Sequence, residues 1–412
     1  MNTLEVCSHC GEKLEYTETD IHLACTENIE RCNAAVTSFQ DTMATSPNIQ
    51  FMGIHVRYLY GIDRNLTDRE KIEKKKKRSL KLFELTRHIS ALRNSNGGYL
   101  LVHIVGLTPN ENYIGAFDEF ADDTLYKMIE DGRMFESVYK KARLCEAEGC
   151  NQFHDFISIF VTKGTEFSTA DFKTKISLDW EIINPLPITM KRFVVEQNNW
   201  NPIHHEEIDF KFNGDFETIS QLQEKRDLQL KGFIENKLRV DWKSLSGYNK
   251  ARTVWDDLRL REYVSAFTKN KRGGSFLLGI GGKDKSNGVY KSKDLIVQGV
   301  PLEDENEFRG YLKELVHDES LVCDFKGHTD PKLDIMNVKC TLVPSEYVHL
   351  STTRGSQTRQ YYIVEVLVRP IKGVAFYDKH GPVSCRIINN ICTPVDVKTW
   401  FEKIAMPTQT SF

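Results

Sequence analysis

The sequence contains no run of about 20 consecutive apolar residues, the length that a helix needs to span a bilayer. Its first residues, from Met1 to Cys7, lack the basic and apolar segments of a secretory signal, so we expect a protein that is not exported. A nucleotide-binding P-loop is also missing, because Gly279 to Lys283 does not have the required spacing. These absences favour a cytoplasmic protein.

The chain also has little net charge. The formal value is -3 over 412 residues, which argues against a uniformly basic nucleic-acid coat and leaves room for local basic patches. Hydrophobic residues make up 40% of the chain and charged residues 27%, which is a globular composition. At roughly 150 residues per domain, the length predicts two or three domains.

Ten cysteines are present, and four of them fall in the first 48 residues. Without a secretion signal we do not expect a disulfide framework, so metal ligation and buried thiols are the alternatives. Cys7-x2-Cys10 followed by His22-x2-Cys25 has the short internal spacings of a tetrahedral zinc site, with Cys32 as a substitute for His22 or Cys25. Bound zinc would stabilise so short a segment, and a disordered tail with incidental thiols is the alternative.

The order of predicted elements occurs twice. Near the start of the first copy, Thr67 to Glu70 forms a capping-box pattern, and Leu82, Leu85, Ile89 and Leu92 recur at helical spacing. Gly97-Gly98 and an apolar strand follow. In the second copy, a helix with Val264 and Phe267 leads into Gly273-Gly274 and another apolar strand.

This repetition predicts an α+β fold of two related lobes, preceded by a small Cys-rich module. Strands are predicted at 49–58, 156–161 and 361–368, and a last helix at 396–404. Gly53 inside the first strand suggests a bulge. We divide the chain into a Cys/His module and linker at 1–48, a first lobe at 49–215, a second lobe at 216–405 and a tail at 406–412.

Three blocks resemble the Schlafen family, specifically its N-terminal core. They are Tyr263–Phe267 with Gly273-Gly274 and Phe276–Ile280, the related block Ile89–Gly98, and the stretch from Val368 through Phe376 to Phe401. The likeness covers about 50–405. It implies two lobes joined as a pseudo-dimeric horseshoe with a basic RNA groove.

Nuclease members of that family use three carboxylates of the second lobe, which hold divalent cations against the scissile phosphate. Two of these acids lie on a Glu-x4-Glu-Phe-Lys stretch, and the best match here is Asn236 to Lys243. Asp241 keeps the second acid, Asn236 replaces the first with Glu235 adjacent, and the third position falls at Gly281 or Gly282, with Asp284 beyond it. The resemblance therefore implies a degenerate acid site, which would hold Mg²⁺ or Mn²⁺ only if it were still catalytic.

Two weaker metal patterns remain. The family's second-lobe zinc site is eroded here, since Cys323 lacks its histidine partner and Lys372-Gly373 replace a Cys-Cys pair, so buried thiols are favoured. For Cys145-x4-Cys150-x3-His154, zinc and structural thiols both stay open.

Basic residues predict where RNA would bind. Lys74, Lys75, Lys76, Lys77 and Arg78 form a run that is either a solvated helix face or a phosphate-neutralising surface. Lys269, Lys271 and Arg272 beside the second Gly-Gly turn are similar candidates.

The function that the resemblance implies is a catalytically degenerate, RNA-binding subunit. It would assemble with a Schlafen-like paralogue into an endoribonuclease complex that processes small-RNA precursors, as nematode relatives are thought to do at the 5′ ends of piRNA precursors. An autonomous metal-dependent endoribonuclease using Glu235, Asp241 and Asp284, and a scaffold that binds only protein, are the alternatives.

Overall fold

The computed structural model describes residues 26–43, 47–61, 66–108, 111–129, 132–164, 167–178, 181–198, 209–235, 238, 240–282, 285–286, 289–290, 295–324, 335–347, 359–389 and 391–405. The α-helices are α1 Thr26–Asp41, α2 Asp68–Arg93, α3 Ile114–Tyr126, α4 Phe135–Val138, α5 Pro187–Asn198, α6 Gly247–Asp256, α7 Leu260–Phe267, α8 Glu305–Glu319 and α9 Val397–Ala405. The strands are β1 Ile49–His55, β2 Gly98–Val105, β3 Tyr139–Arg143, β4 Phe156–Val161, β5 Ile176–Leu178, β6 Glu181–Ile183, β7 Leu228–Lys231, β8 Gly274–Leu278, β9 Ile280–Gly282, β10 Lys285–Ser286, β11 Val289–Tyr290, β12 Leu295–Val297, β13 Val300–Pro301, β14 Leu321–Asp324, β15 Met336–Leu342, β16 Tyr361–Val368, β17 Gly373–Phe376, β18 Cys385–Ile388 and β19 Ile391–Pro394. Mixed sheets and helices together confirm the α+β class.

Helix α2 begins where the sequence predicts. The Thr67 side chain accepts a hydrogen bond from the Glu70 amide, and the Glu70 carboxylate accepts one from the Thr67 amide, so both halves of the capping box are present. The predicted strands at 156–161 and 361–368 are β4 and β16, and α9 confirms the last predicted helix. The suggested bulge at Gly53 is wrong, because Gly53 pairs with His103 in unbroken register.

The chain divides into two compact units. The first comprises the described residues within Met1–Asp171, Leu186–Ile188 and Val383–Phe412. Its sheet has the order β1-β2-β4-β3, with β1 parallel to β2 and the other pairs antiparallel. Side chains of β2 alternate between two cores: Leu100, Val102 and Ile104 lie with α2 and α3, whereas Leu101 lies with α1.

The second unit comprises the described residues within Phe172–Pro185 and Thr189–Pro382. Its central strands have the order β15-β16-β8-β7, with β7 parallel to β8 and the other pairs antiparallel. Phe276 and Leu278 of β8 face the core formed by α6, α7 and α8, while Leu277 faces a smaller core on the other side. Each sheet is therefore covered by apolar side chains on both faces.

The division of the chain differs from the predicted lobe boundary at 215/216. It falls after Asp171, and the segment from Val383 onward belongs to the first unit. The last strands and helix return to the first sheet because their side chains pack there: Ile387 contacts the α2 core, and the Trp400 indole donates to the Thr169 hydroxyl at 2.9 Å. Among the described residues, no helix is both long and apolar enough to cross a bilayer.

Candidate nucleic-acid interface

Four exposed basic residues lie where strands of the second unit begin or end. Parallel strands β7 and β8 begin at the same end of the sheet, and antiparallel β16 ends there. Arg226 precedes β7, Lys271 and Arg272 precede β8, and Arg369 follows β16. We call Arg226, Lys271, Arg272 and Arg369 the strand-end cations; all four are exposed.

The turn that carries Lys271 and Arg272 is held in place by polar contacts. The Asn270 amide donates to the Arg226 carbonyl at 2.9 Å, and the Arg226 Nε donates to the Asn270 side-chain oxygen at 3.2 Å. Gly273 has φ +64, and a Cβ there would clash with the Val368 carbonyl oxygen. The turn therefore lies against the end of β16 because residue 273 is glycine.

The electrostatics of this end favour an anion. Within the described part of the chain, none of the strand-end cations forms an ion pair with a carboxylate. The neighbouring Asp227 carboxylate lies 3.5 Å from the Lys211 ammonium, which offsets its charge. Exposed Lys and Arg side chains that lack a carboxylate partner can neutralise phosphates, and this displaces the counterions of a nucleic acid.

Lys269 was predicted to contact RNA together with Lys271, and the structure corrects this. Its ammonium is buried and donates to the Ser265 carbonyl at 2.5 Å and to the Ala375 carbonyl at 3.3 Å. Burial lowers the pKa of Lys269 well below its usual value. A side chain that joins α7 to β17 in the interior cannot reach a phosphate outside.

The basic run of α2 separates into anchored and free side chains. Lys74 donates to the Gly61 carbonyl at 2.8 Å, Lys77 pairs with Glu73 at 2.9 Å, and the Arg78 guanidinium donates to the Tyr58 and Leu59 carbonyls. Arg78 also lies 4.9 Å from the centre of the Phe120 ring, and burial lowers its pKa.

Lys75 and Lys76 are the exposed lysines of that run, and no ion pair joins them to a described carboxylate. The remaining three side chains have intramolecular partners that an RNA contact would have to replace. The solvated-face interpretation thus fits Lys77, whose partner Glu73 is four residues earlier, and the phosphate-binding interpretation keeps Lys75 and Lys76.

Two members of the predicted acid site, Asp241 and Glu235, lie in the described part of the chain. Asp241 is exposed and begins the short 3-10 helix Trp242–Ser244, where its carboxylate accepts from the Lys243 amide at 3.2 Å. Glu235 follows β7, and its Oε1 is buried without a described hydrogen-bond partner. Asp284 and Asn236 lie outside the described residues.

The third acid position has no room for a side chain. A Cβ on Gly281 would lie 2.7 Å from the Gly232 Cα and 3.2 Å from the Gln298 side-chain oxygen. Gly232 directly follows β7, and Gly281 lies in β9, which pairs with β12. Backbone approaches Gly281 where the resemblance would place a carboxylate, so this position cannot supply an anionic ligand without displacing Gly232.

The residues of the predicted N-terminal zinc site lie largely outside the described part of the chain. Cys7, Cys10, His22 and Cys25 lie outside the described residues. In the described ranges, no group of three or more His, Cys, Asp or Glu side chains is arranged to hold a metal ion. Cys32 contacts His103 instead, with Sγ 3.3 Å from Nδ1.

Packing explains three further thiols, Cys150, Cys323 and Cys340. Cys150 and Cys323 are fully buried. Burial raises the pKa of Cys323 to about 12, and that of Cys340 to about 12. Both values describe thiols that stay protonated at neutral pH. Buried structural cysteines, the favoured alternative for the second lobe, agree with these surroundings.

Arg226 and Arg369 were not singled out from the sequence. Arg226, which follows Lys225, and Arg369 lie 46 and 97 residues from Arg272 by number, and only the strand pairing brings the three together. For Arg369 the available signal was position, because it directly follows the predicted strand at 361–368; no strand was predicted beside Arg226. No model of a protein family matches the chain, and no curated protein matches it with significant similarity.

Proposed function

We propose that this chain is an RNA-binding subunit, catalytically degenerate, of an endoribonuclease complex with a Schlafen-like paralogue. Its substrates would be small-RNA precursors such as the 5′ ends of piRNA precursors, in the cytoplasm. The observation that carries the proposal is the group of strand-end cations, which offers several unpaired positive charges at one end of one sheet. Lys75 and Lys76 add exposed charge on the first unit.

The acid site supports the degenerate half of the proposal. Asp241 caps a 3-10 helix, and backbone lies against Gly281, one of the two positions where the resemblance would place the third carboxylate. Hard cations require several oxygen ligands, so this chain would supply RNA contacts and shape while the paralogue supplies the carboxylates.

The proposal extends to the architecture. Both sheets share one pattern, a parallel outer pair followed by two antiparallel strands, and a helix precedes the Gly-Gly turn in each. This common order supports the two related lobes that the resemblance implies. A structural zinc held by Cys7, Cys10, His22 and Cys25 would stabilise the segment before α1.

The test measures RNA binding and cleavage separately, on the full-length chain. Binding of a fluorescent single-stranded RNA is titrated for the wild type and for the double variant Lys271→Gln with Arg272→Gln. The matched control is Arg309→Gln with Lys313→Gln, a half-buried arginine and an exposed lysine on α8. We expect the first variant to weaken binding at least tenfold and the control to bind as the wild type does.

Cleavage is then followed with Mg²⁺ or Mn²⁺, for the chain alone and after co-purification of its partner from native extract. We expect the isolated chain to bind without cutting and the assembled complex to cut. Cutting by the isolated chain that Asp241→Ala abolishes would instead establish the autonomous nuclease. If the chain showed no salt-sensitive binding of RNA, the result would favour the alternative of a scaffold that binds only protein.

A further inference from the structure

The hairpin formed by β18 and β19 is fixed onto the C-terminal half of α2 by polar contacts. The side-chain amide of Asn94 donates to the Cys385 carbonyl at 2.9 Å, and the backbone amide of Ile387 donates to the Ser95 hydroxyl at 2.9 Å. The Cys385 amide also donates to the Ser90 hydroxyl at 3.4 Å. These contacts hold the hairpin backbone, and with it two cysteines, at a set distance from α2.

The strand register puts the two cysteines on one face of the hairpin. Cys385 pairs with Pro394, and Ile387 pairs with Cys392, so Cys385 and Cys392 are diagonal neighbours on the same side. Their thiols hydrogen-bond to each other. Cys385 is fully buried, while Cys392 is partly exposed with its Sγ 3.9 Å from the Arg87 carbonyl oxygen.

Arg87 of α2 completes the group. Its guanidinium places a positive charge beside both thiols, which favours their ionised forms. The hydrogen bond from Cys392, together with Arg87, lowers the pKa of Cys385 even though burial opposes ionisation. The same hydrogen bond raises the pKa of Cys392, so the pair loses one proton readily and shares the other.

This setting differs from that of the other described cysteines. Burial raises the pKa of Cys150, Cys323 and Cys340, and no arginine hydrogen-bonds to any of their sulfurs. Thiolate character and access together decide which cysteine reacts with an oxidant. Only at the hairpin pair do a stabilised thiolate and a partly exposed sulfur occur side by side in the described residues.

We propose that Cys385 and Cys392 are a peroxide-sensitive dithiol that converts reversibly to a disulfide. Cys385, the sulfur whose ionisation Arg87 favours, attacks hydrogen peroxide that enters beside the partly exposed Cys392. The Cys385 sulfur gains an oxygen to become a sulfenic acid, and hydroxide leaves. Cys392 then loses its proton to that hydroxide and attacks the Cys385 sulfur, the S–O bond breaks, and the S–S bond forms. In sum, two thiols and one peroxide give one disulfide and two waters.

The disulfide is expected to be strained and easily reduced. Diagonal positions of an antiparallel pair lie roughly 7–8 Å apart at Cα, whereas disulfides favour roughly 4.4–6.8 Å. Closing the bond therefore has to twist the hairpin, and strained disulfides have high reduction potentials. Oxidation also removes the negative charge that Arg87 faces, so the hairpin loses an attraction that holds it against α2.

The experiment treats the reduced full-length chain with graded hydrogen peroxide. Free thiols are blocked with a light alkylating reagent, disulfides are reduced, and the released thiols are labelled with a heavy reagent and quantified by mass spectrometry. We expect Cys385 and Cys392 to acquire heavy label together, at peroxide doses at least tenfold below any that affect Cys340. Dithiothreitol should return both to the light form.

Variants separate the mechanism from a general effect. Cys385→Ser should abolish heavy label on Cys392, and Arg87→Gln should slow oxidation about tenfold, whereas Arg87→Lys keeps the charge and should stay within about threefold of the wild type. Circular dichroism and melting temperature verify that each variant is folded. The proposal would be overturned if Cys385 and Cys392 were oxidised no faster than Cys340. It would also be overturned if the two thiols became available for alkylation after treatment with a chelator and not after treatment with a reductant, because that result would indicate a bound metal.

Discussion

Arg31 of α1 holds Asp155, just before β4, through two parallel contacts: Nε lies 2.8 Å from Oδ2, and Nη2 lies 2.6 Å from Oδ1. His103 of β2 completes the group, with Nε2 2.9 Å from Asp155 Oδ2. Cys32, one residue after Arg31, contacts the other nitrogen of the same imidazole. A buried polar group therefore attaches the first helix to the sheet of the first unit.

The first prediction concerns the removal of that carboxylate. Asp155→Asn should lower the free energy of unfolding by about 3 kcal/mol, because the buried His103 and the half-buried Arg31 lose a charged acceptor. The measurement is chemical denaturation, with proteolysis between α1 and β1 as a local readout. The control Asp123→Asn breaks the exposed pair with Lys127 on α3 and should cost less than about 1 kcal/mol.

The contacts of Asp155 with Arg31 and His103 also predict that the stability of the fold depends on pH. Burial alone would raise the pKa of Asp155, but hydrogen bonds from His103 and Arg31 outweigh it and lower the pKa. A carboxyl whose folded pKa is depressed stabilises the fold above its unfolded pKa of about 3.9, and that stabilisation is lost as the pH falls below it. The difference in unfolding free energy between wild type and Asp155→Asn should therefore shrink as the pH is lowered from 6 to about 3. A constant difference would contradict it.

The second prediction concerns the buried Lys269. The folded lysine binds fewer protons than the unfolded one, because burial lowers its pKa, so the free energy of unfolding should rise with pH towards about 10.4. Relative to Lys269→Met, the wild type should gain up to about 1.4 kcal/mol per pH unit between pH 7 and 10. Denaturation at several pH values measures this. Lys271→Met, an exposed neighbour, serves as the control, and an equal slope there would refute the assignment.

The third prediction concerns the space around the backbone at Gly281. Gly281→Ala should destabilise the protein by about 1–3 kcal/mol, because the new Cβ would lie 2.7 Å from the Gly232 Cα. Gly310 of α8 has no atom within 4 Å of its Cβ direction, so Gly310→Ala should instead stabilise by about 0.5–1 kcal/mol. Thermal melts compare the two. If Gly281→Ala left the melting temperature unchanged, this position would have room for a side chain and the prediction would be wrong.

The fourth prediction measures how many phosphates the strand-end cations neutralise. For single-stranded nucleic acid the slope of log K against log salt is about -0.7 per neutralised phosphate. Replacing Lys271 and Arg272 by glutamine should therefore make the slope shallower by about 1.4, provided that each contacts one phosphate. Titrations at three salt concentrations give the slope. Lys269→Gln, if folded, should leave the slope unchanged.

The fifth prediction uses the hairpin thiols without an oxidant. Hydrogen bonding from Cys392 and Arg87 lowers the pKa of Cys385, so the pair should react with a small alkylating reagent at a lower pH than an ordinary thiol, whose pKa is about 8.5. Arg87→Gln should move the half-maximal pH upward, and Arg87→Lys should move it less. Cys340, whose pKa burial raises to about 12, should stay unreactive across the same range.

Several helices and strands could be predicted from local sequence patterns. The Thr67–Glu70 capping box fixed where α2 begins, and the β-branched runs at 156–161 and 361–368 matched β4 and β16. These signals are read within a few residues, so no distant contact is needed to interpret them. Gly53 shows the limit of such reasoning, since its partner His103 lies fifty residues away and keeps the register regular.

The site was less predictable for a physical reason. Lys269 and Lys271 are two residues apart and chemically identical, yet one is buried against Ala375 and the other is exposed. Which of them faces water depends on how α7 packs on β17, and no local pattern contains that information. The same holds for Arg87 and the hairpin thiols, which are about 300 residues apart in sequence.

The sequence by itself determined the α+β class and the double occurrence of helix, Gly-Gly turn and strand, because each depends on residue type and short spacing. Only the tertiary structure decided which basic residues share one sheet end, which lysine is buried, and which cysteines meet beside an arginine. Those outcomes arise from strand pairing and core packing between distant segments, where burial and partners, rather than residue identity, set the charge and reactivity of a side chain.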